Sequence, residues 1–498
     1  MKIEATRPPS KFNSDLGILD LDWRRGGDRK NSGSYYTPSR LIDCLLDHAL
    51  EPALKNLFPK NGSAQGSLTV CDPACGTGHF LVPEARRIAK RLMAIHSGVS
   101  LPEALREAVE HCIFGVDLDP RAVELCKFNL WREAGEPPDL PAILDRRILC
   151  GDSLFLSWPS AFAEVFAAGG FDAVLGNPPF INAIEGGISP KTKKRLAASG
   201  ELRGTADLAF YFVRLAHEIA KKCGTVGLVL PKTFLNAEAA AALRERLRRE
   251  RPPSMIHVPR RSVYFSGAAA YTCLVALGGD ADCSVSDAEW PDEANWRRGQ
   301  IADGNWWRSV QAIMGRIEAL PEGDFVPLMQ CFEVSASMTA GDAYAIKPWV
   351  RDGGNGKGLK LVTTGLIDPF ACKWGKADCR YLGATFARPR IDEAAELSPS
   401  LAARIGKAAA RPKLLVAGLC NRFEAFLDAE GEYLGAVSTY SIFHPEDDAD
   451  ALRRLCDWLN SPHADNHLQA ELGAASVGGG FMTLKKKTLQ ELPIPDRS

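Results

Sequence analysis

Asn177-Pro178-Pro179-Phe180 is the segment of this chain with the clearest chemical capability. Two consecutive prolines lack backbone donors and fix φ, so the tetrapeptide is read as a rigid loop. The side-chain amide oxygen of Asn177 and the carbonyl of Pro178 can both accept hydrogen bonds from an exocyclic NH2 group. That would draw its nitrogen toward tetrahedral geometry and aim the lone pair at an electrophile. No strong base is required, because the amine loses its proton after attack; orientation and electrostatics in a dry pocket supply the acceleration. Phe180 offers a face for stacking on a base, a contact of about 1–3 kcal/mol. The bland alternative is a turn with a core aromatic, so the neighbouring elements must decide.

A second candidate precedes it: Val70-Cys71-Asp72-Pro73-Ala74-Cys75-Gly76-Thr77-Gly78, an apolar strand running into a Gly-punctuated turn and then a helical stretch from Phe80 to Leu92. Glycines there let a ligand approach the backbone closely, because a Cβ would collide with it. Gly-x-Gly alone would equally serve a dinucleotide crevice or a ligand-free turn. The next strand, Ile113–Asp117, ends on an acid suited to accept hydrogen bonds from ribose hydroxyls, with Leu118 beside it. Gly151-Asp152-Ser153-Leu154 falls where a third strand should end. It puts Asp152 near an adenine amino group and Leu154 or Phe155 near its ring, with Ser153 also a cofactor-binding candidate. Three successive strand ends thus converge on one crevice. The proposed chemistry becomes attack of an amine on a methyl sulfonium.

The elements needed to position these residues are those of an α/β chain. From Tyr35 to about Leu277, apolar runs alternate with amphipathic stretches, the pattern of a parallel sheet covered by helices on both faces. Strands are expected at Leu68–Cys71, Ile113–Asp117, Phe171–Gly176, Thr225–Leu230 and Thr272–Leu277. A helix is expected over Ser39–Leu50, with Leu41, Leu45 and Ala49 on its buried face. Residues 1–34 read as a mobile N-terminal arm, 35–280 as the catalytic domain, 281–320 as a connector rich in Asp, Gly and Trp, and 321–498 as a separate α+β domain with a late helix around Ala449–Leu459.

Composition bounds the function classes. The 498 residues are 46% hydrophobic and 24% charged, with a formal net charge of −1; this suits an ordinary multidomain soluble protein and carries no global signature of a polyanion binder. Basic clusters at Lys191, Lys193, Lys194 and Arg195, between Arg244 and Arg261, and at Lys485 to Lys487 are read as solvated surface or phosphate contacts. No apolar run spans a bilayer, and no signal-peptide h-region opens the chain. The 14 cysteines are scattered without paired Cys/His spacing. They are expected to be reduced, mostly buried thiols of a cytoplasmic protein that binds no metal.

In the order and type of these motifs the chain resembles the gamma-class Type II adenine-N6 DNA methyltransferases, the TaqI-like modification enzymes. The resemblance implies a Rossmann-like S-adenosylmethionine-dependent domain with a mixed seven-stranded sheet, followed by a target-recognition domain. It implies that Tyr36-Thr37-Pro38 lies at the methionine end of the cofactor, with Asp72, Ala74, Gly76 and Gly78 forming the cofactor loop. Asp117 would be the ribose-binding acid, Asp152 the adenine-binding acid, and Asn177 to Phe180 the catalytic loop. Phe265, within Val263-Tyr264-Phe265-Ser266-Gly267, would be a second aromatic packing on an extruded base, with Tyr264 or plain core packing as alternatives. Met338–Asp342, Leu361–Pro369 and Leu484–Pro495 resemble segments of target-recognition domains. The implied partner is double-stranded DNA. Fusions in this group carry an N-terminal nuclease where this chain has a short arm, so any restriction endonuclease is expected to be a separate protein. Competing readings are methylation of RNA or of a protein glutamine, cytosine-N4 methylation, which usually has Ser in place of Asn177, and a catalytically silent DNA-binding specificity protein.

Overall fold

Strands rich in Val, Ile and Leu on both faces must be covered on both faces, and helices with one apolar stripe do the covering. The structure, a computed structural model, describes residues 10–21, 37–57, 68–181, 190–198, 200–203, 205–259, 272–279, 282–317, 320–353, 358–392, 397, 399–473 and 481–496. Two compact units divide it, Met1–Met314 and Gly315–Ser498.

The first unit begins with a hairpin of β1 (Ser10–Asn13) and β2 (Ile18–Leu21). Its sheet is built from β3 (Val70–Asp72), β4 (Ile113–Asp117), β5 (Ile148–Cys150), β6 (Phe171–Gly176), β7 (Ala220–Pro231), β8 (Pro253–His257), β9 (Thr272–Leu277), β10 (Cys283–Ser286) and β11 (Arg297–Gly299). The order is β11-β10-β8-β9-β7-β6-β3-β4-β5. Strands β3 to β7 are parallel, whereas β9 runs against β7 and β8. The chain goes from β3 to one side for β4 and β5 and returns to the other side for β6. The carboxyl ends of β3 and β6 therefore flank a topological switch point, where ligands bind in open α/β sheets.

The helix Leu81–Ile95 buries Leu81, Val82, Ala85, Ile88, Ala89 and Leu92, one stripe at helical spacing that covers the sheet. The helix Ser39–Leu45 passes through a π-helical turn, Leu46–Leu50, into the helix Glu51–Leu57. There Thr225 Oγ1 of β7 donates to the Ala49 carbonyl at 2.5 Å, a side chain inserted into the helical ladder. Gly227 allows Ala49 to seat directly on β7.

Several expectations are corrected. The seven strands expected of the sheet are present, but β10 and β11 extend it to nine. They come from the stretch 281–320 expected to be a connector. Cys283 and Val285 of β10 are fully buried between acidic flanks, so the strand is too short and its surroundings too polar to read as one. The helix Trp306–Ile313 from the same stretch buries Trp306, Trp307 and Val310, and the compact boundary falls after it. Within the arm expected to be mobile, residues 10–21 form the hairpin, with Leu19 and Leu21 packed on Ala122, Leu125 and Phe128. Of the basic cluster from Arg244 to Arg261, Arg244 and Arg251 are buried, donating to the carbonyls of Phe234, Ala237 and Gly304 and of Gly224 and Lys221 respectively.

The second unit is α+β. One four-stranded sheet orders Glu333–Ala336, Thr439–Phe443, Lys413–Ala417 and Ala425–Asp428, and the helix Ala449–Leu459 buries Leu452, Leu455, Cys456 and Leu459 in the same core. A second sheet orders Val350–Asp352, Pro389–Ile391, Lys360–Val362 and Tyr433–Gly435. No helix of the described residues is long and apolar enough to cross a membrane.

Candidate active site

The turn after β3 is held by its neighbours. Asp72 Oδ1 accepts the Ala74 N–H at 2.8 Å, closing a tight turn. Gly76 and Gly78 have φ of +53° and +95°, a backbone region that disfavours any Cβ. The Gly76 N–H donates to Asp117 Oδ2 at 2.8 Å, tying the turn to the end of β4, and the Cys75 N–H donates to the Val116 carbonyl at 3.0 Å. A Cβ built on Gly76 meets nothing within 4 Å, so this side of the turn is open. A Cβ on Gly176, at the end of β6, would overlap the Asp72 carboxyl, so the absence of a side chain there lets β6 close on the acid. Burial pushes the Asp72 carboxyl up to about 8, the Ala74 N–H opposing the shift and the nearby Asp117 charge adding to it. Burial raises Asp117 as well, against the N–H groups of Asp119 and Gly76.

Ser153 is buried and donates to the Pro73 carbonyl at 2.5 Å, so it locks the third strand end to the turn. Asp152 is exposed, and its Oδ1 accepts the Leu154 N–H at 3.1 Å. Leu118 is 71% exposed at the crevice edge. The Arg195 guanidinium lies over the Phe155 ring, 3.8 Å from its centroid, so one of the basic residues of the 191–195 cluster reaches the proposed adenine position.

The Asn-Pro-Pro-Phe loop leaves the end of β6 without regular structure. Asn177 Nδ2 donates to Thr37 Oγ1 at 3.0 Å, joining residues 140 apart in sequence, and Thr37 is 1% exposed. This bond fixes the rotation of the Asn177 amide. Pro178 is buried, Pro179 half-buried, and Phe180 packs partly against the main core. Pro38 caps the helix Ser39–Leu45 and accepts the Leu41 N–H at 3.0 Å. Thr37, Pro38, Asp72, Ala74, Gly76, Gly78, Asp117, Asp152, Ser153 and the Asn177 loop thus meet at the carboxyl edge of one sheet. Tyr36, Tyr264 and Phe265 lie outside the described residues.

One buried acid escapes a motif-based reading. Glu84, on the helix after the turn, is fully buried, and neither carboxyl oxygen has a hydrogen-bond partner among the described residues. Burial, with the Asp72 charge nearby, pushes its carboxyl well above the usual carboxylate value. Its helical periodicity with Leu81, Val82 and Ile88 was the available signal, since it falls within the apolar stripe.

Residues 111–264, which include Asp117, the Asn-Pro-Pro-Phe loop and the strands between, match the Eco57I restriction-modification methylase family. The chain is similar to the Type II restriction enzyme and methyltransferase RM.Eco57I of Escherichia coli, 28% identical over 45% of this chain and 26% of that one. The adenine-specific methyltransferase PglX of Streptomyces coelicolor is 23% identical over 46% of this chain and 22% of its own length. The chain thus spans about a quarter of the length of these relatives. Among solved structures, the Type IIL restriction-modification enzyme MmeI in complex with DNA superposes with a TM-score of 0.51 at 16% identity, over 83% of this chain and 63% of that chain. The superposition shows a shared fold, which in the first unit of this chain is a Rossmann-like α/β arrangement around one mixed sheet.

Proposed function

We propose that this protein is a site-specific DNA methyltransferase that transfers a methyl group from S-adenosylmethionine to N6 of an adenine flipped out of double-stranded DNA. The observation that carries the reading is the Thr37–Asn177 hydrogen bond beside the Asp72–Gly176 contact, which sets an amide acceptor at the edge of a glycine turn suited to a nucleoside cofactor. The residues fit that cofactor: the open face of Gly76 accommodates close approach, Asp117 and Asp152 supply carboxylates for hydroxyl and amino groups, and Asp72 supplies a carboxyl for a cation. When bound, the cofactor supplies an electrophilic methyl on a sulfonium.

The chain's own residues do the rest. Asn177 Oδ1 and the Pro178 carbonyl accept the two N6 protons and orient the lone pair in line; the prolines hold those acceptors still. Phe180, with Phe265 as a second aromatic, offsets the few kcal/mol needed to extrude a base. DNA is favoured over RNA or a protein glutamine by the second unit, which we read as the target-recognition domain, and by the names of the relatives. Adenine is favoured over cytosine by Asn at the first loop position. We place the protein in the cytoplasm.

Expression in a methylation-free host, followed by sequencing that reports modified bases, should reveal N6-methyladenine in one sequence context. Unmodified adenine throughout would overturn the proposal. Asn177→Ala should lower the methyl-transfer rate about 10²–10³-fold and leave the calorimetric affinity for S-adenosylmethionine nearly unchanged.

A further inference from the structure

The N-terminal hairpin touches two chain segments proposed to hold the cofactor, the Gly turn and the Thr37-Pro38 element. On one side, Asp20 of β2, 8% exposed, accepts the Thr77 hydroxyl proton at Oδ1 over 3.1 Å, and its Oδ2 lies 3.6 Å from His79 Nε2. Thr77 and His79 belong to the Gly turn. On the other side, Asp15, in the hairpin loop, accepts both the N–H and the hydroxyl proton of Ser39, at 3.0 and 2.9 Å; Ser39 directly follows Thr37-Pro38. Asn129, fully buried on the helix Pro120–Glu133, completes the link. Its Oδ1 accepts the Leu19 N–H at 2.9 Å, while its Nδ2 donates to the carbonyls of Leu19 and Thr77 at 2.8 and 2.9 Å. Arg86 and Arg132 donate to the carbonyls of Leu16 and Gly17 in the hairpin loop.

Apolar packing alone would dock this hairpin: Leu19 and Leu21 sit on Ala122, Leu125 and Phe128, and Leu16 and Ile18 join the main core. The acids are therefore not needed to keep it in place. They are directed at two segments that are far apart in sequence and that a cofactor must find in register. The turn carries glycines at positive φ, a conformation that its neighbours must hold.

We propose that the hairpin is a clasp for the cofactor pocket, in which Asp20 and Asp15 are positioning residues that hold the Gly turn and the Thr37-Pro38-Ser39 turn in the binding geometry. The inference rests on the cofactor reading above. Without the clasp the pocket samples other arrangements, and apparent affinity falls by the fraction of competent molecules.

The test uses the full chain as wild type, Asp20→Ala, Asp20→Asn and Asp15→Ala, with four readouts: calorimetric Kd for S-adenosylmethionine, KM and kcat for methyl transfer, thermal unfolding, and hydrogen exchange of the amides of residues 73–79 without cofactor. Asp20→Ala is expected to weaken binding roughly tenfold, raise the cofactor KM in step, leave kcat within about twofold, and speed exchange in the turn. Asp20→Asn keeps an acceptor for the Thr77 hydroxyl and should recover most of the affinity. Melting should stay within a few degrees of wild type, because the apolar contacts remain. Asp15→Ala should weaken binding in the same sense through Ser39. Unchanged affinity and unchanged exchange in Asp20→Ala would overturn the clasp, as would a loss confined to kcat. If wild type itself fails to bind S-adenosylmethionine, the cofactor reading falls, and the exchange comparison, which needs no ligand, still decides whether Asp20 restrains the turn.

Discussion

A carboxyl that is neutral in the folded chain and ionised in the unfolded one makes stability depend on pH, and Asp72 is such a group. Its folded value, about 8, is raised from 3.8 by burial, so between those values the native state holds a proton that the unfolded state has lost. The stability this contributes is fully present below 3.8 and is lost as pH rises through about 8. Glu84 acts in the same sense. Melting of the cofactor-free protein between pH 5 and pH 8.5 is therefore expected to shift downward as pH rises, and Asp72→Asn should flatten the trend; a rising Tm would contradict it. A cation bound beside Asp72 favours its ionised form, so cofactor binding near neutral pH should release protons, read by calorimetry in buffers of different ionisation enthalpy. Thr37 works through geometry instead. Thr37→Val removes the hydroxyl that accepts the Asn177 Nδ2 hydrogen bond, a loss of about 0.5–1.5 kcal/mol, and should lower kcat by up to about tenfold, read in steady-state methyl-transfer kinetics.

The ends of β3 and β6 approach so closely that the site depends on a missing methyl group. Gly176→Ala would drive a Cβ into the Asp72 carboxyl, with β6 fixed on both sides by β3 and β7. Overpacking of this kind costs about 1–3 kcal/mol. Since Asp72 is the group that must move, cofactor affinity should fall more steeply than melting temperature in Gly176→Ala. Equal affinity with a lowered Tm would show the contact to be packing alone. The helix Ser39–Leu45 is likewise set by β7, where Thr225 bonds the Ala49 carbonyl within the π-helical turn. That anchor carries Thr37 to Asn177.

The two compact units have separate cores, and the second contains its own buried ion pair. Lys413 Nζ lies 2.6 Å from Asp428 Oδ2 and donates to the Ala408 carbonyl at 2.7 Å, while Asp428 also accepts the N–H groups of Glu432 and Tyr433. The two charges are buried against each other, so removal of one strands the other. Asp428→Ala is expected to destabilise the second unit by about 3–5 kcal/mol, seen in denaturant unfolding. On the proposed assignment of target recognition to that unit, the variant should lose sequence-specific methylation while the first unit keeps its affinity for S-adenosylmethionine. Loss of cofactor binding as well would argue against the assignment of roles to the two units.

What the sequence determined by itself is local. The alternation of apolar runs and amphipathic helices set the central strands close to their observed bounds, and Asp72, Asp117, Asp152 and Asn177 could be placed at strand ends because a strand end is a feature of neighbouring residues. β10 escaped because four residues among acidic flanks carry too little periodicity to stand out. The hairpin escaped because its apolar face is defined only by the helix it meets. The tertiary structure alone decided that Thr37 meets Asn177, that Gly176 makes room for Asp72, that Asp20 reaches Thr77, and that Glu84 is sealed inside. Each of these depends on which strands become neighbours in the sheet. That choice is settled by the packing of the whole core and leaves no mark in the residues on either side of the contact.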